Sequence, residues 1–148
     1  VEISCKSEYA LLALIELSVA YGSGEPLQIR QISSQQNIPD RYLEQLLATL
    51  RRGGIVRSQR GAKGGYLLAR DPWKITLFDV LACLEGLDTQ PIDQETALKS
   101  GKTLEGSVVC EIWQEANDAA HAVFQKYTLK DLCERRDARK QLDLMYYI

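Results

Sequence analysis

A leucine-striped helix that runs directly into a glycine-rich cationic hairpin is the feature that most narrows what this chain can fold into. Leu43, Leu46, Leu47 and Leu50 recur at three- and four-residue steps, which gathers them on one face of a helix running to about Arg52. Arg41, Tyr42, Gln45 and Thr49 fall on its other faces. Gly53 and Gly54 then supply the stop. Two short extended runs follow, IVRSQ at 55–59 and GYLLAR at 65–70, separated by Arg60, Gly61, Ala62, Lys63 and Gly64. Extended runs flanking a short glycine-bearing spacer predict a β-hairpin with a flexible tip. With only two glycines between them, helix and hairpin must leave the core side by side.

The residues ahead of this unit predict two more helices. From Ser4 to Ala20, the residues Tyr9, Ala10, Ala13, Leu14 and Leu17 keep helical spacing, and Gly22, Ser23 and Gly24 end the run. After Pro26 a short helix spans about residues 28–36, with Leu27, Ile29 and Ile32 apolar. Asn37 stands where a tight turn needs a residue tolerant of the left-handed conformation. Pro39 and Asp40 then open the leucine helix with the residue types that suit a first turn. Two helices, a tight turn and a cationic hairpin together form a winged helix-turn-helix.

Charge follows the same division. Residues 1–75 carry ten Lys and Arg against seven Asp and Glu, a balance of +3, whereas residues 76–148 carry eight against thirteen, a balance of −5. Between Arg51 and Lys74 stand seven cations and one acid, Asp71, in a chain of net charge −2. The local field, and not the whole-chain charge, acts at a contact, so this block points to a polyanion. A solvated turn is the plainer explanation of a basic hairpin, but it does not account for the helix pair attached to it.

The second half predicts a different job. Thr76 and Asp79 form a capping box ahead of a helix from Leu77 to Glu85. Asp88 to Ser107, polar and broken by Pro91, Gly101 and Gly106, is expected to be a long loop. Val109, Ile112, Trp113, Ala116, Ala120, Val123, Phe124 and Tyr127 then repeat at near-heptad spacing, a seam that wants a partner helix. Thr128 and Asp131 cap one last short helix before a charged tail that ends in LMYYI.

A helix in the major groove and a slender cationic hairpin in the minor groove make double-stranded DNA the expected partner. Arg60 at the hairpin tip is the minor-groove candidate, because narrow A·T-rich grooves concentrate negative potential. Arg57, Lys63 and Arg70 suit phosphates, and Gly64 permits close backbone approach. Near the start of the leucine helix, Arg41 and Gln45 carry donors for purine edges, and Glu44 is either an acceptor for cytosine or a surface acid. Tyr42 is either a DNA contact or an anchor to the core. Gln28 and Arg51 complete the candidate DNA-binding set.

These residues also resemble a known family. Ser4, Lys6, Tyr9 and Ala10, the run Tyr42-Leu43-Glu44-Gln45-Leu46, and above all Arg60-Gly61 with Gly64-Gly65-Tyr66-Leu67-Leu68 are similar to the Rrf-two type transcriptional regulators. The likeness is densest over residues 2–86 and extends to about 133. It implies a homodimeric transcription factor whose long C-terminal helices cross, and a repressor is expected. Many members hold a [2Fe-2S] cluster on three cysteines in the loop before the long helix. This chain departs from that pattern: residues 88–107 contain no cysteine, and Ser107 stands where the last of the three would fall. A rarer family arrangement draws a carboxylate from the partner's first helix, which makes Cys110 and Glu8 the candidate ligands here. No cofactor is otherwise expected, since a cluster of this kind has four ligands.

The expectation is a mainly α protein with a small β-hairpin wing. Residues 1–86 form the DNA-binding domain, 87–107 the loop that senses a signal in the family, and 108–148 the dimerisation helix and C-terminal helix. Two-fold symmetry predicts an inverted-repeat operator. The effector is a protein or a small molecule, and a protein-interaction module is the rival reading. Cys5, Cys83, Cys110 and Cys133 include no CxxC pair, which excludes a zinc knuckle and a disulfide framework. Cys83 falls on an apolar helical face, and the lone histidine, His121, is expected to be structural. The grouped acid, base or nucleophile of an enzyme is absent from the pattern. The longest apolar run, Tyr9 to Ile15, is too short to span a membrane, and Glu8 and Glu16 flank it too closely for a signal peptide, so a cytoplasmic protein is expected.

Overall fold

The structure, a computed structural model, describes residues 3–85 and 103–146. Helix α1 spans Cys5–Ala20, and the Ser4 hydroxyl caps it by accepting from the Ser7 N–H at 3.1 Å. A 3₁₀ turn, Tyr21–Ser23, leads through Gly24 toward α2, Ile29–Gln36. Asn37 takes the left-handed conformation at φ 54°, as the turn requires of a short polar residue, and α3 follows over Asp40–Arg52. Its four leucines are buried. Gly54, at φ 76°, reverses the chain after α3 into strand β1, Val56–Gln59.

Strand β2, Gly65–Leu68, pairs antiparallel with β1 in the register Val56 to Leu68 and Ser58 to Tyr66. Leu27 adds a bridge to the outer edge of this hairpin. Its N–H donates to the Tyr66 carbonyl at 3.0 Å, and the Tyr66 N–H returns a bond to the Leu27 carbonyl at 2.8 Å. Gly65 makes that approach possible: a Cβ there would stand 2.3 Å from the Leu27 carbonyl oxygen. A second 3₁₀ turn, Pro72–Lys74, precedes α4, Leu77–Glu85.

The core lies where α1, α2, α3, β1 and α4 converge, and Leu14, Ile32, Leu43, Leu47, Leu50, Ile55, Ile75 and Val80 are fully enclosed in it. Each such side chain contributes roughly 1.5–3 kcal/mol through burial. At the end of α3, Gly53 lies so close to the Cys83 thiol that no side chain would fit between them, and Sγ donates to the Thr49 carbonyl at 3.5 Å. Cys83 is thus half-buried against α3, and burial raises its thiol pKa.

Two long helices complete the chain: α5, Leu104–Lys126, and α6, Leu129–Tyr146. Their junction is fixed beside the start of α4 by two capping boxes. Thr76 and Asp79 exchange bonds of 3.0 and 3.1 Å, and Thr128 and Asp131 exchange bonds of 2.8 and 3.3 Å. The Leu77 N–H donates to the Tyr127 carbonyl and the Leu129 N–H to the Ile75 carbonyl, at 2.9 and 3.0 Å. Leu129 is fully enclosed in the core.

Both long helices exceed the sequence expectation. The expected loop extended to Ser107, but α5 begins at Leu104, because the Thr103 hydroxyl caps it by accepting from the Gly106 N–H at 3.1 Å. Residues 88–102 of that loop lie outside the described residues. The last helix is 18 residues long instead of short, since the charged tail is built from Leu, Arg, Lys, Gln and Ala, with neither Gly nor Pro to stop it. His121 meets the Phe78 ring edge-on at 5.3 Å, in keeping with a packing role.

Candidate nucleic-acid interface

Helix α3 buries its leucines and thereby turns Arg41, Glu44 and Gln45 outward, three exposed residues at i, i+3 and i+4 on one stripe. Tyr42 behaves differently. It is half-buried, and its ring meets Tyr9 of α1 edge-on at 5.5 Å, so it anchors α3 to α1. Gln28 is exposed at the start of α2, its N–H donating to Gln31 Oε1 at 2.8 Å. Donors and acceptors of this kind on an exposed helix face match base edges in a major groove.

The hairpin presents Arg57, Arg60, Lys63 and Arg70 as exposed side chains. Gly64 is not among the accessible residues. It is buried, its N–H donates to the Gly61 carbonyl at 2.9 Å, and a Cβ would lie 2.3 Å from the Gln59 carbonyl oxygen. Its N–H is thus engaged in closing the turn. Arg51 also has an internal engagement, because its Nη1 donates to the Ser58 hydroxyl on β1 at 3.3 Å.

The single acid of the cationic block is engaged at its C-terminal end. Asp71 accepts a short hydrogen bond from the Tyr21 hydroxyl and pairs with Lys74 at 3.4 Å. The Tyr21 bond holds the Asp71 carboxyl below its ordinary pKa range and raises the phenol above its own. Among the described residues, the ion pairs join Lys74 to Asp71, Lys130 to Glu134 and Arg136 to Asp137, so none neutralises Arg41, Arg57, Arg60, Lys63 or Arg70. The wing keeps its field. Sequence reasoning missed the Leu27 bridge, which is one residue wide and carries no pattern, and the Tyr21 to Asp71 bond across 50 positions.

Helix α5 has no buried residue along its 23 positions. Val109, Ile112, Trp113 and Val123, all members of the expected seam, are 52–70% exposed. The stripe is an exposed apolar surface extending over several turns of α5.

The candidate cluster ligands do not come together as a set. Cys5, Cys83, Cys110 and Cys133 lie on four different helices, and Glu8 is exposed in the first turn of α1. Among the described residues, no group of three or more His, Cys, Asp and Glu is placed to hold a metal ion. No helix among the described residues is long and apolar enough to cross a membrane.

Comparison with known proteins agrees with this geometry. The profile of a family described as Rrf2, iron-dependent transcriptional regulator, matches residues 3–135. The HTH-type transcriptional regulator CymR of Bacillus subtilis is 36% identical over 145 residues, covering 98% of this chain and 99% of its own. The solved structure described as CymR, the global cysteine regulator of B. subtilis, superposes with a TM-score of 0.74 at 34% identity, over 91% of this chain and 98% of that one. IscR from T. potens also gives a TM-score of 0.74, at 30% identity over 92% and 88% of the two chains.

Proposed function

Because this chain belongs to the Rrf2 family of DNA-binding transcriptional regulators, we propose that it acts as a homodimeric repressor on an inverted-repeat operator. Each subunit would set the exposed stripe of Arg41, Glu44 and Gln45 in a major groove and Arg60 in the neighbouring minor groove. The observation that carries the reading is the un-neutralised wing beside that stripe, with the one nearby acid drawn off by Tyr21 and Lys74. Arg57, Lys63 and Arg70 would hold phosphates on either side. The open seam of α5 supports the dimer, and its two-fold axis would fix the spacing of the two half-sites.

The signal is proposed to be read without a cluster, through a small molecule or a protein partner. Two observations support this. The cysteines are dispersed over four helices, and the relative that matches nearly the whole chain is described as a global cysteine regulator.

Fluorescence anisotropy on a duplex selected by the protein from a randomised pool tests the DNA contacts. Arg60→Ala is expected to weaken binding about tenfold and to relax the preference for A·T pairs beside the half-sites. Unchanged affinity and unchanged site preference in that variant would overturn the wing assignment.

A further inference from the structure

We propose that Arg51 is a positioning residue that braces the wing against α3, and not a contact to DNA. The inference rests on the DNA-binding reading only for its consequence; the brace itself is a matter of the fold. Ser58 is an inner position of β1, and its partner across the hairpin is Tyr66. Tyr66 is in turn the residue bonded on its far side to Leu27, two residues ahead of Ile29, the first residue of α2. Arg51 completes this row from the other side, its Nη1 donating to the Ser58 hydroxyl at 3.3 Å. The same rung of the wing is therefore tied to the entry of α2 through Leu27 and to the last turn of α3 through Arg51.

The position of the rung explains why this matters. The base of the hairpin is fixed, since the Ile55 N–H donates to the Leu50 carbonyl at 3.0 Å and Val56 and Leu68 are buried in the core, so what remains to be positioned is the exposed part toward the tip. Backbone bonds from Leu27 fix one edge of the wing. The opposite edge, β1, has Arg57, Ser58 and Gln59 exposed, and a bond to it from α3 sets the tilt of the tip that carries Arg60. A guanidinium suits this use, because its planar fork is pre-organised and loses little freedom per bond formed. Arg52, the next residue, bonds back to Thr49 at 3.3 Å within its own helix and reaches no strand. The side chain at 51, and not basic character at the end of α3, makes the brace.

Salt dependence separates a brace from a phosphate contact. Removing a cation that touches phosphate lowers the slope of log affinity against log salt by roughly 0.9, whereas removing an uncharged positioning group leaves the slope intact. The variants are Ser58→Ala, Ser58→Thr and Arg51→Lys, tested by anisotropy on the duplex selected by the wild-type protein. Expected are a loss of about three- to tenfold for Ser58→Ala and for Arg51→Lys with the salt slope unchanged, recovery in Ser58→Thr, and no further loss in the double variant Arg51→Lys/Ser58→Ala. Full affinity in Ser58→Ala together with a shallower slope in Arg51→Ala would overturn the proposal and return Arg51 to the phosphates. Hydrogen exchange on the DNA-free protein decides the brace independently of any operator. Faster exchange at the Tyr66 and Leu27 amides in Ser58→Ala supports it even if the chain binds no duplex, a result that would sink the DNA-binding reading alone. Unaltered exchange at both amides overturns it.

Discussion

Replacing Gly65 with alanine tests how the wing is seated. A Cβ at position 65 would meet the Leu27 carbonyl oxygen at 2.3 Å and the carbonyl carbon at 2.6 Å. An ordinary carbon to oxygen contact is about 3.3 Å or more, so the two segments must part by about 1 Å. Neither obstacle is a side chain that can rotate away. The separation breaks or stretches the paired bonds between Leu27 and Tyr66, now 3.0 and 2.8 Å, each contributing about 0.5–1.5 kcal/mol. Alanine must also hold the φ of +154° found at this position, which adds about 1–3 kcal/mol of strain. The expected loss of stability is therefore about 2–6 kcal/mol.

Gly61 supplies the control. It has φ +113°, and nothing lies within 4 Å of the Cβ it would carry, so Gly61→Ala pays strain alone. Urea denaturation of both variants at one chain concentration isolates the steric part. Gly65→Ala should be the less stable by about 1–3 kcal/mol, the value of the two displaced bonds. Equal destabilisation would refute the claim that the Leu27 contact seats the wing, and would reduce Gly65 to a backbone preference.

Two other outcomes can be checked directly. Trp113→Asp, at a residue 70% exposed in the α5 seam, should shift the dimer-to-monomer midpoint in sedimentation by at least about tenfold, and an unchanged profile would remove the seam from the interface. Tyr21→Phe should lower stability by an amount that changes with pH only at the ends of the pH range. The depressed pKa of Asp71 stabilises the fold above the usual carboxylate value near about 4, and this is lost as pH falls through the depressed value. The raised pKa of Tyr21 stabilises it below about 10 and is lost as pH rises. Wild type and variant should therefore melt with a constant gap between about pH 5 and 9 that narrows outside it, and a gap constant from pH 2 to 11 would refute the coupling.

The DNA-binding half was legible in the sequence because its signals are local and periodic. Leu43, Leu46, Leu47 and Leu50 declare the buried face of α3, Asn37 its turn, and Gly53 and Gly54 its stop, and each is where the structure has it. The division of labour within the candidate site was less legible. Gly64, Tyr42 and Arg51 all have residue types suited to DNA, yet each engages the protein itself, through Gly61, Tyr9 and Ser58. Composition reports what a side chain is able to bind, and only packing reports what it already touches. The bonds of Ser4 and Ser7 to Glu85, which tie the two ends of the core together across 81 and 78 positions, had no sequence signal at all. The long C-terminal helix was cut short because a charged stretch with one late apolar cluster resembles a tail until its unbroken run of helix formers is weighed.

The twin capping boxes at the joint of α5 and α6 make a fulcrum. At 23 residues, α5 is a rod of about 34 Å, held at its C-terminal end by Tyr127 and Leu129 at the opening of α4 and by His121 against Phe78. A sideways push of about 1 Å at its Leu104 end turns the rod by roughly 2° about that fixed end. An equal sideways force applied near Lys126, beside the pivot, would exert almost no torque. Mechanical advantage therefore belongs to whatever acts at the far end, where a given force has its longest lever arm about the joint.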